Sequence, residues 1–176
     1  MIKIALPLAI ILFFPFIYSC DKIDELRTWD LDTETGIDFE VNITESDPTT
    51  FSTTFSISLA SNPDIVDYID QIEEYKINKV TYQIWSYSSS VANDVLFSGT
   101  LKLGSINIFL DKVNLQQMYL MGTTATLDIT DQELVELAKT LKSNQSVSGS
   151  LAGEVTDKPV YFFVYVEFDL TLRIKE

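Results

Sequence analysis

No histidine occurs among the 176 residues, and there is one cysteine, Cys20. Without imidazole the chain lacks the usual general base near neutral pH and the usual partner of a serine or cysteine nucleophile. A zinc site of the common Cys/His kind cannot be built. The six glycines form neither a GxGxxG nor a Walker-type loop, so the familiar phosphate cradles are missing. Gly149-Ser150-Leu151-Ala152-Gly153 superficially suggests a nucleophile elbow, but its serine is off-register for GxSxG, and a glycine-containing strand edge accounts for it better. Basic residues are also scarce. Twelve Lys and Arg stand against 26 Asp and Glu, for a formal net charge of −14. Such a chain repels nucleic acid and anionic lipid headgroups, so no nucleic-acid partner is expected. No cofactor is expected either.

One long apolar run is present. Lys3 is followed by an almost unbroken hydrophobic stretch from Ile4 to Phe16, and Cys20 closes the segment. A transmembrane span needs about 20 apolar residues with few breaks. This run is shorter, carries Pro7 and Pro15, and meets Asp21 at once, so it reads as a secretory leader over residues 1–19.

Ile17-Tyr18-Ser19-Cys20 resembles the lipobox of bacterial lipoproteins: an aliphatic residue, a variable one, a small one, then cysteine. The resemblance implies a lipid, palmitate among its acyl chains, with attachment at the Cys20 thiol, cleavage just before it and acylation of the new N-terminus. Two or more acyl chains hold a protein stably where one is marginal. The adjoining Asp21-Lys22-Ile23-Asp24-Glu25 resembles the short charged stretch of Bacteroidetes-type lipoproteins exported to the cell surface, with Ile23 as a departure. Both resemblances imply a lipid-anchored protein of the cell envelope, at the outer membrane. Surface and periplasmic faces both remain open, and the membrane is contacted through the lipid on Cys20.

Removing 19 of 176 residues leaves 157, enough for one domain with a substantial core. Residues 20–35 read as the lipidated cysteine plus an acidic tether, and residues 36–176 as a single domain. Period-two alternation dominates that domain. Ile37, Phe39, Val41 and Ile43 form one strand, and Phe55, Ile57 and Leu59 a second. Asp47-Pro48 between them suggests a hairpin. Val80, Tyr82 and Ile84 mark a third strand, and Val95 to Leu103 a fourth, with Gly99 in its middle marking a bulge or a close approach. From Val160 to Ile174 eight apolar residues occupy successive alternate positions. Straight, that strand would span about 50 Å at about 3.3 Å per residue, so a bend or bulge is expected.

Two amphipathic helices are expected. Asn62 and Pro63 start the first, with Ile65, Ile69 and Ile72 on its inner side; Thr130 and Glu133 form a capping box for the second, whose stripe is Leu134, Leu137, Ala138 and Leu141. A shorter helix fits Asn114–Met121. The pattern points to an antiparallel β-sandwich of about seven or eight strands. The alternative is an α+β arrangement with both helices on one face of a single sheet.

Three functions fit. The first is a non-enzymatic binding or accessory module for a protein or glycan partner. The second is a carrier holding an apolar ligand inside the sandwich. The third is a glycosidase using two carboxylates, for which Asp30, Asp32, Glu34, Asp38, Glu40, Glu167 and Asp169 are the available groups, with no pair singled out. Asp30, Asp32 and Glu34 fall on one side of an extended chain and are also the candidate oxygen ligands for a hard cation, although EF-hand spacing is missing. Trp85, Tyr82, Tyr87 and the row Tyr161, Phe163, Tyr165 either belong to the packed interior or line a cleft for a sugar or another apolar-faced ligand.

Overall fold

The computed structural model describes residues 27–175; the leader, Cys20 and the charged stretch after it lie outside the described residues. Eight strands form two four-stranded antiparallel sheets. In chain order they are β1 Thr28–Ile43, β2 Thr50–Ser58, β3 Ile72–Ser89, β4 Leu96–Leu103, β5 Ile106–Asn114, β6 Thr124–Thr126, β7 Ser146–Val155 and β8 Val160–Lys175. Sheet A has the order β1-β8-β3-β6 and sheet B the order β2-β7-β4-β5.

The pairing has a simple logic. β4 pairs with β5, β3 with β6, β2 with β7 and β1 with β8, as if one long hairpin had been closed from its tip. Additional β3–β8 and β4–β7 ladders roll that hairpin onto itself. This is the jelly roll, which wraps two sheets around one core. The β-sandwich expected from the alternation is therefore present, and two facing sheets set aside the single-sheet α+β alternative.

β8 owes its central place to its sequence. All eight of its alternate apolar residues, from Val160 to Ile174, are buried. It pairs with β1 along sixteen residues without a register shift, from Thr28↔Lys175 to Ile43↔Val160. The irregularity expected of this long strand lies instead on its other neighbour. β3 carries three register shifts, between Ile72 and Glu74, Ile77 and Lys79, and Ile84 and Ser86. Each inserts one residue on β3 and increases the local twist, and the third lifts Trp85 out of the ladder. Aromatic contacts bridge the sheets: Phe39 stacks on Phe55 at 4.4 Å, and Phe51 meets Phe162 at 6.1 Å, with Phe97 of its own sheet packed on Phe51 at 5.5 Å.

Several expectations need correction. The tether was expected to run to residue 35, but β1 begins at Thr28, so residues 28–35 belong to sheet A. Leu31 there is apolar and Thr35 is buried, and pairing with β8 supplies the backbone partners that a lone polar segment lacks. β1 and β2 do not form a hairpin; the chain turns a corner at Asp47-Pro48 and passes from one sheet to the other. The segment Gly149–Gly153 is no edge, since β7 lies between β2 and β4.

The first helix is cut short. Asn62 does cap it, its side chain accepting from the Asp64 N–H, but helix α1 spans only Pro63–Val66, and a 3₁₀ turn at Ile69–Gln71 leads into β3. Ile65, Ile69 and Ile72 still face the core. Their sidedness was legible, but pairing with β8 overrode helix propensity. The short helix α2, Leu115–Met121, is present, and α3, Asp131–Asn144, has its capping box intact. α3 packs against both β3 and β7 through Leu137, Ala138 and Leu141.

Candidate functional site

The exposed side of sheet A divides into two halves. Along β8 the residues opposite the core are Tyr161, Phe163, Tyr165, Glu167, Asp169, Thr171 and Arg173, aromatic first and charged afterwards. The register adds a flank on each side. Asn42, Glu40 and Asp38 of β1 stand beside Tyr161, Phe163 and Tyr165. Ser88, Ser86 and Gln83 of β3 stand on the other side of the same three residues. The result is a row of rings between two rows of hydrogen-bonding groups.

The rings pack on one another without being covered. Trp85, raised by the β3 bulge, remains 46% exposed and lies 5.0 Å from the Phe163 ring, tilted by 39°. Tyr161 meets Phe163 edge-on at 5.5 Å. Tyr165 lies over Gly36, where an added Cβ would come within 2.6 Å of its hydroxyl oxygen. Glycine is required there because the ring occupies the space of a side chain. Partial burial pushes the Tyr165 hydroxyl up to about 12, and the nearby carboxylates of Glu167, Asp38 and Glu34 add to the shift.

The structure thus brings Trp85, Tyr161, Phe163 and Tyr165 together on one solvent-facing surface. It does not bring Tyr82 and Tyr87 there. Both point to the inner side of β3, where Tyr82 packs on the core and Tyr87 lies 6.5 Å from Tyr119 of α2. The flanking Asn42, Ser86, Ser88 and Gln83 were missed in the sequence, because their place depends on strand pairing.

The charged half holds the other candidates. Asp30, Asp32 and Glu34 do share one side of β1. Asp30 pairs with Arg173 at 3.2 Å, and Asp32 accepts from the Thr171 hydroxyl at 2.7 Å. Asp169 accepts from Asn78 at 3.0 Å and faces Lys79 at 3.5 Å. Asp32, Glu34, Asp64 and Asp169 border an open, polar depression of about 770 Å³. Among the described residues no three carboxylates are placed to hold a metal ion together. Asp32, Glu34 and Asp64 are exposed there, and Asp169 is half-buried.

Between the sheets the volume is filled by side chains, Phe162, Phe168, Leu101 and Leu151 among the most buried. Five depressions of about 420 to 770 Å³ all open at the surface. Among the described residues no helix is long and apolar enough to cross a membrane.

No protein-family model and no curated protein matches the chain. Among solved structures it is similar to a chain of the semi-empty virus-like particle of the giant freshwater prawn Macrobrachium rosenbergii nodavirus, at 13% identity and a TM-score of 0.40, over 85% of this chain and 94% of that one. It is also similar to the decameric BFDV capsid protein, at 10% identity and a TM-score of 0.38, over 83% and 99%. At these values the likeness adds nothing to the strand order already given by the hydrogen-bonded pairs.

Proposed function

We propose that this protein is a lipid-anchored, non-enzymatic binding module of the bacterial cell envelope, held through Cys20, that takes a glycan on the outer face of sheet A. The observation that carries the reading is the exposed aromatic row of Tyr161, Phe163 and Trp85 between Asn42 and Glu40 on one side and Ser86 and Ser88 on the other. Sugar rings present apolar C–H faces and a rim of hydroxyls. Aromatic faces receive the first, and amide, hydroxyl and carboxylate groups receive the second. Glu40 and Asp38, in a chain of net charge −14, disfavour acidic polysaccharides and leave neutral or amino sugars as the class.

Position supports the same reading. Described β1 starts beside Lys175, whereas the ring platform surrounds Tyr161 and Phe163 near the opposite end of β8. Twelve residues separate Tyr161 from Arg173, about 40 Å at about 3.3 Å per residue. A chain tethered at its N-terminus would therefore present the platform away from its anchor.

Binding of neutral and amino oligosaccharides to the mature, full-length chain, followed by calorimetry and tryptophan fluorescence, tests the site. Trp85→Ala is expected to weaken binding about tenfold or more, equivalent to at least about 1.4 kcal/mol, without shifting Tm. Failure of all such sugars to bind, with a protein cross-linking to Trp85 instead, would replace the glycan by a protein partner. Radiolabelled palmitate tests the anchor separately: it should enter the wild type and not Cys20→Ala, and equal labelling of both would remove the lipoprotein reading.

A further inference from the structure

A second surface, independent of the aromatic row, lies where β3 meets α3. β6 pairs with β3 only at Thr81–Gln83. From Glu74 to Asn78, five residues and about 17 Å of strand, no strand of the described residues pairs with that edge of β3. Alternate N–H and C=O groups of an open edge are a template for another strand. Just before this stretch the Glu73 carbonyl already accepts from the Lys142 ammonium at 2.5 Å.

Beside the open edge runs a groove of about 680 Å³. Its apolar wall is formed by Leu134, Val135 and Ala138 of α3, with Tyr75 and Ile77 from the strand. Val135 is 52% exposed and Leu134 half-buried, whereas Ala138 and Ile77 are buried, so Val135 is the open apolar surface of the groove. The rim carries Lys76, Lys139 and Lys142, a concentration of cations in a chain with only 12 Lys and Arg against 26 acidic residues. Of the two carboxylates on the same rim, Glu74 turns to Arg173 at 3.7 Å, and Asp131 sits at the N-terminal end of α3.

We infer that the open Glu74–Asn78 edge and the lysine-rimmed flank of α3 together form a site for an extended acidic peptide, added to sheet A as a strand beside β3. Strand addition supplies affinity through main-chain hydrogen bonds, and alternate side chains supply specificity. In this groove the side of the added strand that turns towards α3 meets Val135 and Leu134, which asks for apolar residues beside them. Lys139 and Lys142, further along the same side of α3, and Lys76 on β3 meet other positions, which asks for Asp or Glu there.

The experiment is selection of a displayed library of random decapeptides on the full mature chain, followed by amide hydrogen exchange with the best peptide bound. Enriched sequences are expected to be acidic with at least one apolar anchor residue, and exchange is expected to slow at Glu74–Asn78. Lys139→Glu with Lys142→Glu should weaken such a peptide about tenfold by reversing the rim charge, with an unchanged Tm confirming that the variant is folded. Neutral or basic winners, protection elsewhere than β3, indifference to the charge reversal, or no enrichment over bare support would each overturn the proposal. The same variant should leave binding at Trp85 unchanged, so the two sites succeed or fail separately.

Discussion

The outer faces of the two sheets have the same task in the fold and entirely different surfaces. Sheet B shows mostly small polar residues: Ser52, Thr54 and Ser56 on β2, paired with Ala152, Ser150 and Ser148 on β7, then Thr100 and Lys102 on β4, with the exposed Phe109 of β5 beside Thr100. Sheet A shows rings at one end and charges at the other. Both inner faces are mainly apolar, so burial alone explains neither outer face. Sheet B leaves one isolated ring in the open, Phe109 on β5, whereas sheet A gathers Trp85, Tyr161, Phe163 and Tyr165 on one face, and that clustering is the excess to be explained by binding. The carboxylates have a structural use as well. Asp30, Asp32, Glu34, Asp38 and Glu40 line β1, a sixteen-residue edge strand, where like charge discourages pairing with another molecule.

The inner faces differ too. β8 fills its side with branched aliphatics and phenylalanine, whereas sheet B makes room for rings with glycine. Gly99 and Gly153 face each other across β4 and β7, and the Phe97 ring lies over both. Gly149 is covered by Phe55.

The sharpest way to break the comparison uses two neighbours on β8. Phe162 is fully buried between the sheets and Phe163 is on the outer platform. Phe162→Ala should cost about 3–5 kcal/mol in urea denaturation. Phe163→Ala should cost well under half of that and act mainly on binding. Equal losses would mean that the outer platform is structural. Next comes sheet B. An added Cβ at Gly153 would lie 2.3 Å from the Ser98 carbonyl oxygen and 2.6 Å from the Phe97 ring. Gly153→Val should destabilise by about 1–3 kcal/mol through overpacking, while Ala152→Val on the outer side of the same strand should stay within about 0.5 kcal/mol.

Smaller effects read the connection between the sheets and the chemistry of sheet A. Thr130→Ala removes the cap of α3, which touches both sheets, and should cost about 1 kcal/mol with little change in the m-value. Alkaline pH should act through sheet A. Burial raises the hydroxyls of Tyr75, Tyr82 and Tyr165, all on β3 or β8, while sheet B contains no tyrosine. In the folded state Tyr165 keeps its proton to about 12, whereas the unfolded chain releases it near 10. The unfolded state then binds fewer protons, so the stability is fully present below about pH 10 and is lost as pH rises through about 12. Tyr165→Phe should flatten the fall in Tm over that window. An unchanged slope would assign the loss to Tyr75 and Tyr82.

Whatever depends on near neighbours along the chain was legible in the sequence alone. Alternation marked the inner side of β8 residue by residue, Thr130 and Glu133 marked the start of α3, Gly99 marked a bulge, and Ile65, Ile69 and Ile72 showed which side faces inward. Each rests on local geometry, period two for a strand and the first turn for a helix cap. Only the tertiary structure decided which strand lies beside which. Residues 28–35 read as a tether until β8 supplied their partners, and Ile72–Glu74 read as helix until β8 drew them into a strand. The separation of Trp85 from Tyr82 and Tyr87, the rows flanking Tyr161 and Phe163, and the open edge from Glu74 to Asn78 all depend on contacts between residues distant in sequence. Those contacts form only when burial of the two apolar faces repays the entropy of closing long loops, a balance that no local window of sequence contains.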